Sequence, residues 1–116
     1  MQTTIQAEDY EVQYLPETNE VVFQGSLRLS GAEEYQPIVD LLESLISDQS
    51  VHICLDLRKL EFLNSSGINI LSKFVINARK RNTIEVTVRG AKTIPWQSKS
   101  LKNLQRLMPN LKLEIE

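Results

Sequence analysis

Three times in this chain an apolar run with a period of two is followed by an apolar stripe with a helical period. Val21, Phe23, Gly25, Leu27 and Leu29 alternate with Val22, Gln24, Ser26 and Arg28. After them Ile38, Leu41, Leu42, Leu45 and Ile46 recur at i, i+3, i+4, i+7 and i+8. Val51, Ile53, Leu55 and Leu57 precede a stripe of Ile68, Leu71, Val75 and Ala78, flanked by Ile70, Phe74 and Ile76. Ile84, Val86 and Val88 precede Leu101, Leu104, Leu107 and Met108. A last alternating run, Leu111, Leu113 and Ile115, closes the chain. Strands that alternate with helices pair in parallel through right-handed crossovers.

The front of the chain adds a hairpin. Tyr10, Val12 and Tyr14 alternate with Glu11 and Gln13, and Pro16-Glu17-Thr18-Asn19-Glu20 reads as the turn into the next strand. Gly25 inside that strand predicts a bulge or a close backbone approach. Residues 1–9 are polar and are expected to fray. Ser30-Gly31-Ala32-Glu33 has capping-box spacing. The first helix therefore starts at Ser30 and bends at Pro37, or starts at Pro37 itself. Asp48-Gln49-Ser50 ends it. Pro95 is expected to open the third helix.

The resulting order is β-β-α-β-α-β-α-β. It describes one α/β domain over residues 10–116, with a five-stranded mixed sheet. Several strands alternate polar and apolar residues, so one sheet face is wet. The three helices are therefore expected mainly on one side.

Composition limits what such a domain can do. The hydrophobic share (41%) and charged share (24%) are those of a water-soluble globular domain. Residues 1–64 hold 3 Lys and Arg against 12 Asp and Glu, whereas residues 65–116 hold 10 against 3. The basic groups Arg79-Lys80-Arg81, Lys99, Lys102 and Arg106 lack interleaved aromatics, which argues against a nucleic-acid partner. No segment approaches the roughly 20 apolar residues that span a bilayer, so no membrane association is expected. The opening residues have no signal-peptide pattern, and a cytoplasmic location is expected. Cys54, the one cysteine, reads as a small core residue.

One corner stands out chemically. The strand ending Leu55-Asp56-Leu57 leads through a turn to Asn64-Ser65-Ser66-Gly67-Ile68 at the start of a helix. Free backbone N–H groups at a helix start favour anions. Two hydroxyls there are candidates for a modified or contacted site. They are not candidates for a catalytic nucleophile, because the only histidine, His52, lies about 15 Å from the turn at strand rise. It reads as structural. One His and one Cys make no zinc site, and there is no Gly-rich phosphate loop. Neither metal, cofactor nor enzymatic activity is expected.

Residues 55–71, L-D-L-R-K-L-E-F-L-N-S-S-G-I-N-I-L, resemble the signature of the STAS domain of bacterial anti-sigma-factor antagonists and sulphate-transporter tails. Phe23-Gln24-Gly25-Ser26-Leu27 is similar to that family's F-x-G-x-L, and the element order over residues 10–116 agrees. The resemblance implies a regulatory binding module, with Ser65 the serine phosphorylated by a partner anti-sigma factor or related serine kinase. Ser66 is the second choice. Asn64, Ser65, Ser66, Gly67 and Ile68 are implied as cap and partner surface. Asn64 stands where the family has aspartate, and Arg28 where an aspartate often follows Leu27. Both changes remove negative charge and imply a divergent member. The alternative is a STAS scaffold or ligand-sensing module without phosphorylation.

Overall fold

The computed structural model describes residues 4–47, 52–81 and 83–116. Their elements are β1 (Thr4–Gln6), β2 (Tyr10–Leu15), β3 (Glu20–Leu27), α1 (Gly31–Ser47), β4 (His52–Leu63), α2 (Ser65–Lys80), β5 (Glu85–Gly90), α3 (Gln97–Leu107) and β6 (Lys112–Ile115). The strands form one sheet in sequence order. β1, β2 and β3 are antiparallel neighbours; β3 to β6 are parallel. Parallel strands added successively in one direction by right-handed crossovers place α1, α2 and α3 on one face. One apolar core lies between that helix layer and the sheet, with Val12, Phe23, Leu55, Val88, Leu42, Val75 and Leu101 all buried in it.

The expected five strands are six. Thr4–Gln6, expected to fray, pair with β2, and Ile5 is buried opposite Val12. A single apolar side chain shows no period, so this strand could not be read locally. The expected helix stop at Asp48-Gln49-Ser50, the strand start at Val51 and the frayed Met1–Thr3 lie outside the described residues. Of the two starts weighed for α1, the earlier holds, with Pro37 inside the helix. The acid that closes its start is Glu34 rather than Glu33: the Ser30 N–H donates to Glu34 Oε1 at 2.9 Å. Pro95 sits in a turn ahead of α3, which begins at Gln97.

β4 is the largest departure from the sequence reading. The expected turn after Leu57 is strand as far as Leu63. Against β3 its register slips twice, between Val22 and Gln24 and between Gly25 and Ser26. Each slip gives β4 one extra residue, which is a bulge. The core-facing leucines are therefore spaced Leu55, Leu57, Leu60 and Leu63, and all four are buried. Gly25 marks the place. Its φ is +86°, and a Cβ there would lie 2.2 Å from the Asp9 carbonyl oxygen.

β5 follows β4 only to the pair Asp56–Arg89. Beyond it the β4 carbonyls need other donors. The fully buried Gln97 supplies them. Its Nε2 donates to Leu57 O (2.6 Å) and Leu60 O (3.0 Å), and its Oε1 accepts from the Ala91 N–H (2.7 Å). The Trp96 indole N–H donates to Leu60 O and Glu61 O.

On the sheet face away from the helices, β4 presents His52, Cys54, Asp56 and Arg58. His52 Nε2 meets Thr87 Oγ1 at 2.9 Å. Cys54 is buried there beside its register partner Glu20, and burial pushes its thiol up to about 11. Asp56 takes Arg58 Nε at 2.9 Å, Arg58 Nη2 at 2.8 Å and the Arg58 N–H at 3.1 Å. Burial alone would raise its pKa; the Arg58 bonds outweigh that and hold it below the ordinary value. A depressed carboxyl stabilises the fold above its unfolded pKa of about 4, and the gain is lost as pH falls through the folded pKa. Because Arg58 is 39% exposed, water screens the pair and its worth stays below about 1 kcal/mol. Urea midpoints followed downward from about pH 5 should therefore fall less steeply for Asp56→Asn than for the wild type.

Candidate functional site

The corner between β4 and α2 is a single residue, Asn64, and four bonds fix it besides the first helical one, from the Ile68 N–H to Asn64 O at 3.0 Å. Its backbone is extended (φ −79°, ψ 174°), as an N-cap requires. Asn64 Oδ1 accepts from the Gly67 N–H at 2.9 Å and from the Tyr35 hydroxyl at 2.7 Å. Asn64 Nδ2 donates to Leu29 O at 2.8 Å, and the Asn64 N–H donates to Leu27 O at 3.2 Å. The cap thus ties together the end of β3, α1 and the start of α2. An aspartate could not make the bond to Leu29 O, because an ionised carboxylate only accepts. The amide in this chain is therefore required by its own packing.

With Asn64 as the cap, Ser65 is the first helical residue and Ser66 the second. Ser65 is exposed; Ser66 is half-buried. Neither hydroxyl has a hydrogen-bond partner among the described residues. Their backbone N–H groups precede the helical ladder and point out of the helix start. Gly67 is buried, and a Cβ on it would fall 2.2 Å from Leu63 Cδ1 and 2.7 Å from the Tyr35 hydroxyl. Glycine lets the helix start sit against α1 and β4. Ile68 is half-buried behind it. Below, Phe23, Leu27, Tyr35, Leu63 and Gly67 surround a void of only about 10 Å³. The five residues expected at this site therefore form one contiguous, hydrogen-bonded corner, with Ser65 its most accessible side chain.

Two neighbours were not legible as site residues. Tyr35 carries no local signal, because an aromatic at a helix start usually reads as core. Burial pushes its phenol pKa up, so it stays a neutral donor to Asn64. Phe62 falls in the stretch that the sequence predicts as a turn. It is 40% exposed, with the Arg28 guanidinium 4.8 Å from its ring centroid. His52 lies at the first residue of β4, eleven positions before the last, so the lengthened strand carries it further from Ser65 than the sequence suggested. No His/Cys/Asp/Glu group among the described residues could hold a metal. No described helix is long and apolar enough to cross a membrane.

No family model and no curated protein matches the chain by sequence. By structure, the chain shares its fold with proteins of known structure. It is similar to SiaC of Pseudomonas aeruginosa, with a TM-score of 0.74 at 16% identity over 97% of this chain and 95% of that one. It is likewise similar to apo-SiaC from the same organism (0.72, 14%, 99% of each chain). A third likeness is to the P. aeruginosa complex of the diguanylate cyclase SiaD with its activator SiaC (0.75, 16%, 98% of each chain). These likenesses correct the expected partner. The STAS resemblance pointed to an anti-sigma factor or serine kinase, whereas the like-folded SiaC is the activator of a diguanylate cyclase. One fold carries many partners, because the contacts are made by surface residues and not by the core that sets the fold.

Proposed function

We propose that this chain is a regulatory protein-binding module that binds and activates a diguanylate cyclase, using the surface around Asn64, Ser65, Ser66, Gly67 and Ile68. The likeness to SiaC along the whole chain carries the reading. The exposed Ser65 on a hydrogen-bonded corner supports its placement. Phosphorylation of Ser65 turns the module off. A phosphoryl group brings about −1.5 to −2 charges. At the first position of α2 the free N–H groups and the helix dipole tolerate that charge, so the fold survives. At a packed interface it must be desolvated, so binding is lost.

Titration of the purified chain into diguanylate cyclases of the same cell, with cyclic dinucleotide formation as readout, tests this. Wild type and Ser65→Ala should raise the rate. Ser65→Glu should bind at least about tenfold more weakly, a loss of about 1.4 kcal/mol. Equal stimulation by Ser65→Glu would remove the switch and leave an unphosphorylated scaffold. Absence of binding to any cyclase would remove the partner.

A further inference from the structure

The Arg28–Phe62 stack lies next to the corner and is not used by its hydrogen bonds. We propose that Arg28 is the receptor for the phosphate on Ser65: phosphorylation draws its guanidinium off the Phe62 ring and rebuilds the surface beside the corner. This rests on reading Ser65 as a phosphate acceptor and names the residue through which the switch acts.

The backbone sets the geometry. Leu27 and Leu63 are register partners on adjacent parallel strands. The Asn64 N–H then bonds Leu27 O at 3.2 Å, and Asn64 Nδ2 bonds Leu29 O at 2.8 Å. Arg28 lies between those two carbonyls, so its Cα is held beside Asn64, the residue that precedes Ser65. Its long side chain is the cation assigned here to a phosphate on the residue after the cap. Arg28 is exposed and has no carboxylate partner among the described residues; its contact is the ring at 4.8 Å.

The energies favour a transfer. An exposed cation–π contact is weak, because water competes for the cation. A bidentate guanidinium–phosphate pair is a charge-assisted bond of greater strength and fixed geometry. Phosphate on Ser65 therefore outcompetes the Phe62 ring for Arg28. In the unphosphorylated protein, Arg28 and Phe62 present a cation on an aromatic plate, and arginine and aromatic side chains are enriched at protein interfaces. After phosphorylation the plate is bare and the cation neutralised. The switch then acts on two parts of the surface, the serine and the stack. The strand and helix need not move.

Phosphoserine installed at position 65 by genetic encoding tests this without any partner. Phosphorus NMR should give a second phosphate pKa lower by about 1 unit in wild type than in Arg28→Gln, with Arg28→Lys between them. Arg106→Gln, on α3, should match wild type. The Phe62 ring resonances of the phosphorylated wild type should move to the positions they take in Arg28→Gln. Equal phosphate pKa values in wild type and Arg28→Gln, or Phe62 resonances unchanged by phosphorylation, would overturn the proposal. No binding enters either readout, so a failure to find a cyclase partner leaves the result standing, and the reverse also holds.

Discussion

Replacing Gln97 by leucine should lower the stability of this domain by about 3–4 kcal/mol. The side chains are similar in volume, so the loss is one of hydrogen bonds and not of packing. Gln97 satisfies three buried backbone groups, Leu57 O, Leu60 O and the Ala91 N–H. Each group left unpaired costs about 1–3 kcal/mol, and partial relaxation offsets some of that. Trp96 still donates to Leu60 O at 3.3 Å, which leaves Leu57 O and the Ala91 N–H most exposed to the loss. Urea unfolding should show the midpoint falling with the slope unchanged. Gln97→Glu is the companion variant. It keeps the acceptor for Ala91 but loses the donor to both carbonyls, so it should also destabilise. A fall of less than about 1 kcal/mol for Gln97→Leu would mean that water replaces the amide at β4.

Asn64→Asp should cost about 2 kcal/mol even though it restores the residue that the STAS signature carries. Asparagine and aspartate cap helices about equally well, so the bond to the Gly67 N–H survives. The Tyr35 hydroxyl can still donate. What is lost is the donor to Leu29 O, and a carboxylate oxygen then faces a carbonyl oxygen at the 2.8 Å now bridged by N–H. Asn64→Ala should cost more, because it also orphans Tyr35 and the cap. If Asn64→Asp were neutral by thermal unfolding, the link to Leu29 would carry no energy. The amide would then be unexplained by packing.

Both variants act at places where sequence reading and structure part company. The element order after β1 was legible because periods of two and 3.6 are local and repeated. The corner was legible for the same reason: strand, asparagine, two serines and glycine are contiguous, and a cap is recognised within four residues. β1 was not, since one buried isoleucine makes no pattern. Nor was the length of β4. Its leucines are spaced by three after Leu57, which locally suggests a turn, and two bulges restore them to the core face. The hydroxyl that reaches solvent could not be chosen until Asn64 was fixed as the cap.

From the sequence alone follow a mixed α/β sheet with one wet face, three amphipathic helices, and Asn64 to Ile68 as the corner of interest. Folding alone decides what holds that corner and what surrounds it. Tyr35 reaches Asn64 across 29 residues, Leu29 across 35, and Gln97 reaches Leu57 across 40. Arg28 meets Phe62 only because β3 and β4 are neighbours. Hydrogen bonds and ring contacts between such distant positions leave no periodic trace in a chain. They depend on which strands become adjacent and in what register. That is why the sequence marks the serine, while the asparagine's amide, the arginine on its aromatic plate and the likeness to a cyclase activator emerge only from the folded protein.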